Sequence, residues 1–222
     1  MVFENVSKTL KKVTDMMEVS QTEYKLLTSF RRIKKEQLEV KGKKYDSWRI
    51  LHNDSLGPGK GGIRFHPNVS EDEVKSLSFW MSIKNSLAGL PYGGAKGGVK
   101  VNPKELSEEE KEELSREFVR KYCEVIGQDK DIPAPDVYTN AQVMGWMMDE
   151  FEKIKERHEP GMITGKPLEL QGCEIRSTAT ARGGYVIFRE MVKKNKDVTI
   201  AVQGFGNAGY NFAKMAFDDG FK

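Results

Sequence analysis

The apolar positions of the chain change period several times, and each change marks an element. In residues 3–35 they recur at helical spacing, with Val13, Met16 and Met17 in one stretch and Tyr24, Leu27 and Phe30 in the next. This predicts two helices on the surface or at a subunit contact. From Gln37 the period drops to two: Leu38 and Val40, then Trp48, Ile50 and His52, separated by the turn-like KGKK, predict a hairpin. Ser70 with Glu73 three positions on is a capping box and opens a helix that runs to Gly89. Ser107 with Glu110 and Thr139 with Gln142 repeat the signal, the first opening a helix toward Val125 and the second one through VMGWMMDEFEKI. Between them QDKDIPAPDVYTN, with its prolines among polar residues, reads as an ordered loop.

After residue 158 the texture shifts to EPGMITGKPLELQG, a connection rich in glycine and proline that suggests a domain boundary. A helix is predicted from Thr178 to Lys194. It is followed by a short apolar strand, Val198 to Val202, a glycine turn and an amphipathic helix.

Composition narrows the class. At 222 residues with 38% hydrophobic content the chain can bury a core, and it reads as globular. Charged residues reach 31%, but the net charge of +3 is too small a bias for a nucleic-acid binder. No apolar run serves as a signal sequence or spans a membrane, so a cytoplasmic location is expected. Cys123 and Cys173 lie far apart and read as reduced thiols. The histidines, His52, His66 and His158, are scattered, and no metal site is expected.

Two glycine-rich patterns carry chemistry. Gly204, Gly206 and Gly209 form G-x-G-x-x-G between the predicted strand and helix, the context in which this pattern binds a dinucleotide. Lys60 in GPGKGGIRFHP and Lys96 in LPYGGAKGGVKVNP each sit among glycines, and Lys84 lies late on the third predicted helix. Three amines in loops and at a helix end suit an anionic substrate, each a point charge with three donors. A second cation nearby would lower an amine's pKa toward neutrality. GGAKGGVK is not a Walker phosphate loop, because no serine or threonine follows a Gly-Lys pair. Asp136 in PAPD sits on a proline-stiffened loop, where a helix cap or turn role is as natural as a chemical one.

Taken together, GPGKGGIRFHP, KNSLAGLPYGGAKGG, PAPD and VQGFGNAG resemble the Glu/Leu/Phe/Val amino acid dehydrogenase family, and within it the glutamate dehydrogenase group. The resemblance runs from about residue 30 to the last residue. The intervals agree with it: Lys84 lies 24 residues after Lys60, Lys96 12 after that and Asp136 40 further. It implies an α/β protein. Residues 1–160 would be a substrate-binding and oligomerisation domain with a mixed sheet flanked by helices, and 161–222 the beginning of a Rossmann-type dinucleotide-binding domain.

By position, the resemblance makes Lys96 and Asp136 catalytic. Lys96 in its glycine-rich loop would polarise the carbonyl and handle the attacking or departing water, and Asp136 would shuttle protons to and from the substrate nitrogen. Lys84 would hold the substrate α-carboxylate and Lys60 its side-chain carboxylate, with Gly61 and Gly62 also binding substrate. Thr180 would lie near the nicotinamide of NAD or NADP, whose phosphates would meet Gly204, Phe205, Gly206, Asn207, Ala208 and Gly209. The implied reaction is reversible oxidative deamination of glutamate to 2-oxoglutarate and ammonia, and the implied assembly a homo-hexamer without nucleic acid or membrane.

Lys60 favours glutamate over leucine or phenylalanine, because relatives acting on apolar amino acids carry an apolar residue there and a buried cation against an alkyl chain is costly. Ile175 and Thr178 depart from the family's usual glycine and glutamate, and family members run to about twice this length. The alternatives that stay open are a leucine or phenylalanine dehydrogenase of the same family and a short non-catalytic partner subunit.

Overall fold

Two helices, α1 (Val2–Met16) and α2 (Gln21–Thr28), precede the first strand in this computed structural model, which describes residues 2–193 and 197–222. Helix ends sooner than the spacing predicts: α2 stops at Thr28, and from Arg32 exposure alternates residue by residue as in a strand. That strand, β1 (Arg32–Val40), pairs antiparallel with β2 (Lys43–Asn53), as the alternation predicts. Lys41 and Gly42 both have positive φ, 47° and 77°, the two-residue turn whose twist matches a hairpin.

Then follow β3 (Gly59–His66), α3 (Glu71–Leu87), β4 (Gly93–Lys100), α4 (Glu108–Tyr122), β5 (Asp131–Pro135) and α5 (Ala141–Lys155). The strands form one five-stranded mixed sheet in the order β1-β2-β4-β3-β5. The two β2 pairings are antiparallel and the two β3 pairings parallel. Three segments expected as loops are strands, the Lys60 segment GKGGIRFH being β3. GGAKGGVK is β4, the middle of the sheet, and the DIPAP part of the proline segment is β5. β5 lies at an edge and pairs with β3 alone, and at an edge a proline's missing N–H costs no ladder bond.

Each sheet face has its own cover. On one, Leu38, Ile63, Phe65 and Val99 pack with Leu114 and Phe118 of α4 and Met144 and Met147 of α5. A side chain of that size, fully buried, contributes roughly 1.5–3 kcal/mol. On the other face Trp48 and Ile50 pack with Val69 and with Val74 of α3. His52, on β2, is buried between α2 and α3: one ring nitrogen donates to the Leu27 carbonyl at 2.9 Å and the other meets Ser82 Oγ at 2.8 Å.

The chain divides into two compact units, the first ending at Gly172 and the second running Cys173–Lys222. Residues 160–166 belong to the first, with Met162 and Ile163 in its core. The second holds α6 (Ala179–Val192) and α7 (Asn207–Asp218) around Tyr185, Ala216 and Phe221. The predicted helix end at Lys194 lies outside the described residues. Val198 to Val202, predicted as a strand, forms no ladder among the described residues; Ile200 N–H reaches only the Lys222 carbonyl, at 2.9 Å. A strand is defined by its neighbour. Among the described residues no helix is long and apolar enough to cross a membrane.

Candidate active site

The parallel strands β3 and β4 present alternate residues on the α3 side of the sheet, and this alternation places Arg64 and Lys96 on the same face. Lys96, on β4, is buried, with Nζ 3.0 Å from Asp136 Oδ1. Asp136 follows β5, and its other oxygen, Oδ2, accepts from Arg64 Nε at 2.8 Å. Arg64 Nη1 in turn donates to Glu73 Oε1, at the start of α3, at 2.6 Å. The Asp136 carboxylate is thus shared between an amine and a guanidinium.

Glycine makes room for this arrangement. A Cβ at Gly62 would stand 2.8 Å from the Asp136 Cβ and 2.8 Å from the Pro135 carbonyl, so only an absent side chain lets Asp136 lie over β3 toward Lys96. A Cβ at Gly94 would stand 2.2 Å from the Ser82 amide nitrogen, so α3 can rest on β4 only because the strand is bare there. Gly61 would bring a Cβ to 1.6 Å from the Ala95 carbonyl oxygen. These positions explain why a lysine between glycine pairs sits in a central strand and not in a loop: close packing, not flexibility, demands the glycines.

Hydrogen bonds in the loop after β5 displace a helix cap. Thr139, expected to cap α5, instead accepts from the Asp136 N–H at 2.7 Å and donates to the Ile63 carbonyl at 2.8 Å, tying the loop to β3. Asn140 takes over as cap, accepting from the Val143 N–H at 3.1 Å.

Beneath the sheet a second ion pair fixes the backbone. Arg49 and Asp131 are both fully buried and paired, with Arg49 Nε 3.0 Å from Asp131 Oδ2. Arg32 Nη2 joins at 2.7 Å, and Arg49 Nη1 donates to the Gly61 carbonyl at 3.0 Å. The strand segment after Lys60 is therefore held from the opposite face. Removing one member of such a pair leaves an uncompensated buried charge, at a cost of about 3–5 kcal/mol.

Lys60, on β3, donates to Thr164 Oγ1 at 2.8 Å, and Thr164 N–H is fixed to the Pro133 carbonyl at 3.0 Å. Lys84 is exposed on the last turn of α3 and has no ion-pair partner among the described residues. Its neighbour Asn85 donates to the Gly93 carbonyl at 2.7 Å, which fixes that turn to the start of β4, beside Lys60 in the register. The structure thus brings Lys96, Asp136 and Gly62 together, puts Lys60 and Gly61 on the adjoining stretch of β3, and carries Lys84 at the same sheet end. Arg64, Glu73, Thr164 and the Arg49–Asp131 pair are additional, and the lysine motifs alone do not single them out. Strand parity offered one signal, since Arg64 lies two residues beyond Gly62 in GGIRFH.

Electrostatics separate the two central groups. Burial pushes the Lys96 ammonium below the usual lysine range, helped by Arg64 and Arg49 and opposed by Asp136. Burial alone would raise the Asp136 carboxyl, but Lys96 and Arg64 outweigh it and hold Asp136 below the usual carboxylate range. Such a site offers an amine that sheds its proton readily next to a carboxylate that stays ionised.

In the second unit Gly204 has φ +85°, a turn that favours glycine. A Cβ at Gly209 would stand 2.0 Å from the Gly204 carbonyl oxygen, so α7 closes on the turn only with glycine there. Gly206 caps α7 without a side-chain hydrogen bond, leaving first-turn N–H groups for an anion. Phe205, Gly206, Asn207 and Ala208 are exposed around it, and Asn207 Nδ2 donates to the Ser177 carbonyl at 2.8 Å. Thr180 is exposed in the first turn of α6.

Against known proteins, residues 15–153 match the family model described as Glu/Leu/Phe/Val dehydrogenase, dimerisation domain, and residues 172–222 match Glutamate/Leucine/Phenylalanine/Valine dehydrogenase. The chain belongs to the Glu/Leu/Phe/Val dehydrogenase family. It is 48% identical over 212 residues to the catabolic NAD-specific glutamate dehydrogenase RocG of Bacillus subtilis (strain 168), covering 94% of this chain and 50% of that protein. To the NADP-specific glutamate dehydrogenase of Synechocystis sp. it is 49% identical over 182 residues, 80% of this chain and 42% of that one. The crystal structure of glutamate dehydrogenase from Peptoniphilus asaccharolyticus matches with TM-score 0.89 at 41% identity, covering all of this chain (100%) and 58% of that chain. A hetero-hexameric glutamate dehydrogenase from Thermus thermophilus matches with TM-score 0.94 at 32% identity, over 100% of this chain and 55% of that one. The chain of this dehydrogenase-family member spans about half the length of the curated relatives it matches.

Proposed function

We propose that this chain carries the catalytic residues of an NAD- or NADP-dependent glutamate dehydrogenase, which reversibly converts L-glutamate and water to 2-oxoglutarate and ammonia. The observation that supports it most is the buried Lys96–Asp136 pair, Nζ to Oδ1 3.0 Å, on the same sheet as Lys60. Asp136, kept ionised, accepts a proton from the substrate ammonium so that the freed nitrogen lone pair can form the C=N bond as the α-carbon gives up its hydride to the nicotinamide acceptor. Lys96, whose pKa burial lowers, then takes a proton from the water that adds to the substrate carbon, and returns it as ammonia leaves. Lys60 pairs with the side-chain carboxylate and Lys84 with the α-carboxylate, and Gly61 and Gly62, on the adjoining stretch of β3, contact the substrate through their backbone.

The Gly204–Gly209 turn fits a dinucleotide, since its third glycine admits the helix and the first-turn amides are uncapped. NAD or NADP held there, with Thr180 nearby, supplies the hydride acceptor. On this reading the first unit, which ends at Gly172, binds substrate and mediates assembly, the second, Cys173–Lys222, begins the dinucleotide-binding domain, and the protein is a cytoplasmic homo-hexamer.

The test is glutamate-dependent reduction of NAD and of NADP by the protein purified from its native source, with Lys60→Leu compared on glutamate and leucine. Turnover with glutamate, lost at least about 100-fold in Lys60→Leu, is expected. Turnover of leucine but not glutamate by the native protein overturns the substrate assignment, and no turnover of either overturns the enzyme reading.

A further inference from the structure

The capping box at the start of α3 is only half made. Ser70 Oγ accepts from the Glu73 N–H at 3.2 Å, but the Glu73 carboxylate, which in a complete box turns back to the Ser70 amide, goes to Arg64 Nη1 at 2.6 Å instead. The boxes that open α2 and α4 are complete in both directions. Glu73 therefore forgoes a local partner in favour of a strand residue, and its Oε2 is buried without a hydrogen bond. The guanidinium it holds spends Nε on Asp136 Oδ2 at 2.8 Å, leaving Oδ1 for Lys96 at 3.0 Å.

We propose that Arg64 is a positioning residue for the Lys96–Asp136 pair: anchored on α3 through Glu73, it holds one carboxylate oxygen of Asp136 so that the other is presented to the Lys96 amine. The planar guanidinium is what suits arginine to the task, because Nε and Nη1, held at a fixed angle, bind Asp136 and Glu73 at once, whereas a lysine is a point charge. The charged groups around the pair come from four elements. Lys96 faces Asp136 beyond β5 and Arg64 on β3, Arg49 on β2 acts on it from the opposite sheet face, and Arg64 faces Glu73 on α3. The catalytic importance of Arg64, though not its positioning of Asp136, rests on the function proposed above.

The experiment reads the coupling between Asp136 and Lys96 with and without Arg64. The full chain is labelled with lysine carrying 13C at Cε, the Lys96 signal is assigned by its loss in Lys96→Met, and its chemical shift is followed against pH without substrate. With Arg64 present, Asp136→Asn moves the Lys96 midpoint down by about one pH unit. In an Arg64→Gln background the same substitution moves it by less than about a third of that, because Asp136 is no longer held against the amine.

An equal shift in both backgrounds overturns the proposal. Arg64→Lys keeps the charge but not the fork, so its coupling stays low; full coupling in that variant means charge alone suffices and also overturns it. If Arg64→Gln alters the other lysine signals as unfolding would, Glu73→Gln takes its place: reduced coupling supports the anchor, and undiminished coupling overturns it. Since no turnover is involved, a protein inactive on glutamate would sink the functional reading and leave this one standing.

Discussion

Gly93–Gly98 in β4 and Gly204–Gly209 before α7 are both six-residue glycine-rich segments, yet glycine serves opposite ends in them. In β4 every residue from Gly93 to Val99 is buried, and the missing side chains let α3 and the flanking strands close around one amine. From Gly204 to Ala208 every residue is exposed, and the glycines shape a turn and bare the amides at a helix start. In the first case glycine frames a side chain; in the second it offers backbone. A lysine so framed has its electrostatic surroundings fixed by the sheet, with Asp136, Arg64 and Arg49 all set by β-strands or the loop that follows one. The exposed turn is fixed by α7, the preceding extended segment and the Asn207–Ser177 hydrogen bond.

The sharpest way to test that contrast is to remove the framed group. Lys96→Met keeps the length and apolar stem of the side chain and deletes the amine. Glutamate turnover by the native protein is expected to fall by roughly 10³-fold or more, the upper range for a positioned acid–base group. Far-UV circular dichroism should stay unchanged. A fall of less than about tenfold would mean that the amine is only a structural ion-pair partner of Asp136.

Next in size is the asymmetry between the glycines themselves. Gly94→Ala puts a Cβ 2.2 Å from the backbone of Ser82, where neither the strand nor the helix can yield easily. A loss of about 2–3 kcal/mol is expected, read as a lower urea midpoint by tryptophan fluorescence, since Trp48, Trp80 and Trp146 all lie in the first unit. Gly206→Ala meets nothing within 4 Å and should cost no more than about 1 kcal/mol, the loss of a good helix-capping residue, read by thermal circular dichroism. Equal costs at the two sites would remove the distinction between packing glycines and turn glycines.

The same contrast explains what could be read along the chain. Alternation revealed the β1–β2 hairpin because β1 buries one face and exposes the other, although β2 is buried on both faces from Ser47 to His52. It was silent on β4, whose glycines have no polarity to alternate, and on β5, whose prolines signal a loop unless the strand is known to be an edge. The lysines and Asp136 were legible through motif and interval. Arg64, Glu73 and Thr164 were not, because their roles depend on contacts across 9 to 104 positions of sequence. Both capping signals announced their helices, but Thr139 and the Glu73 carboxylate are diverted to hold the Asp136 loop and Arg64, so the local rule yields in detail where the site needs the side chain.

The smallest expected effect concerns pH. Lys96 has a folded pKa below its ordinary 10.5, because burial and its cationic neighbours outweigh Asp136. Between the folded value and 10.5 the unfolded chain binds more protons than the folded one, so stability rises with pH across that window. The gain is complete above 10.5 and is lost as pH falls through the folded value. Lys96→Met lacks the group, so the urea midpoint of the native chain should climb relative to the variant as pH is raised from neutrality toward 10.5. Other titrating groups, the buried Tyr122 phenol among them, are common to both proteins and cancel in the difference. Parallel curves would place the Lys96 amine at its ordinary value, and with it would go the physical basis for a readily neutral amine in β4, leaving the glycine frame as packing alone.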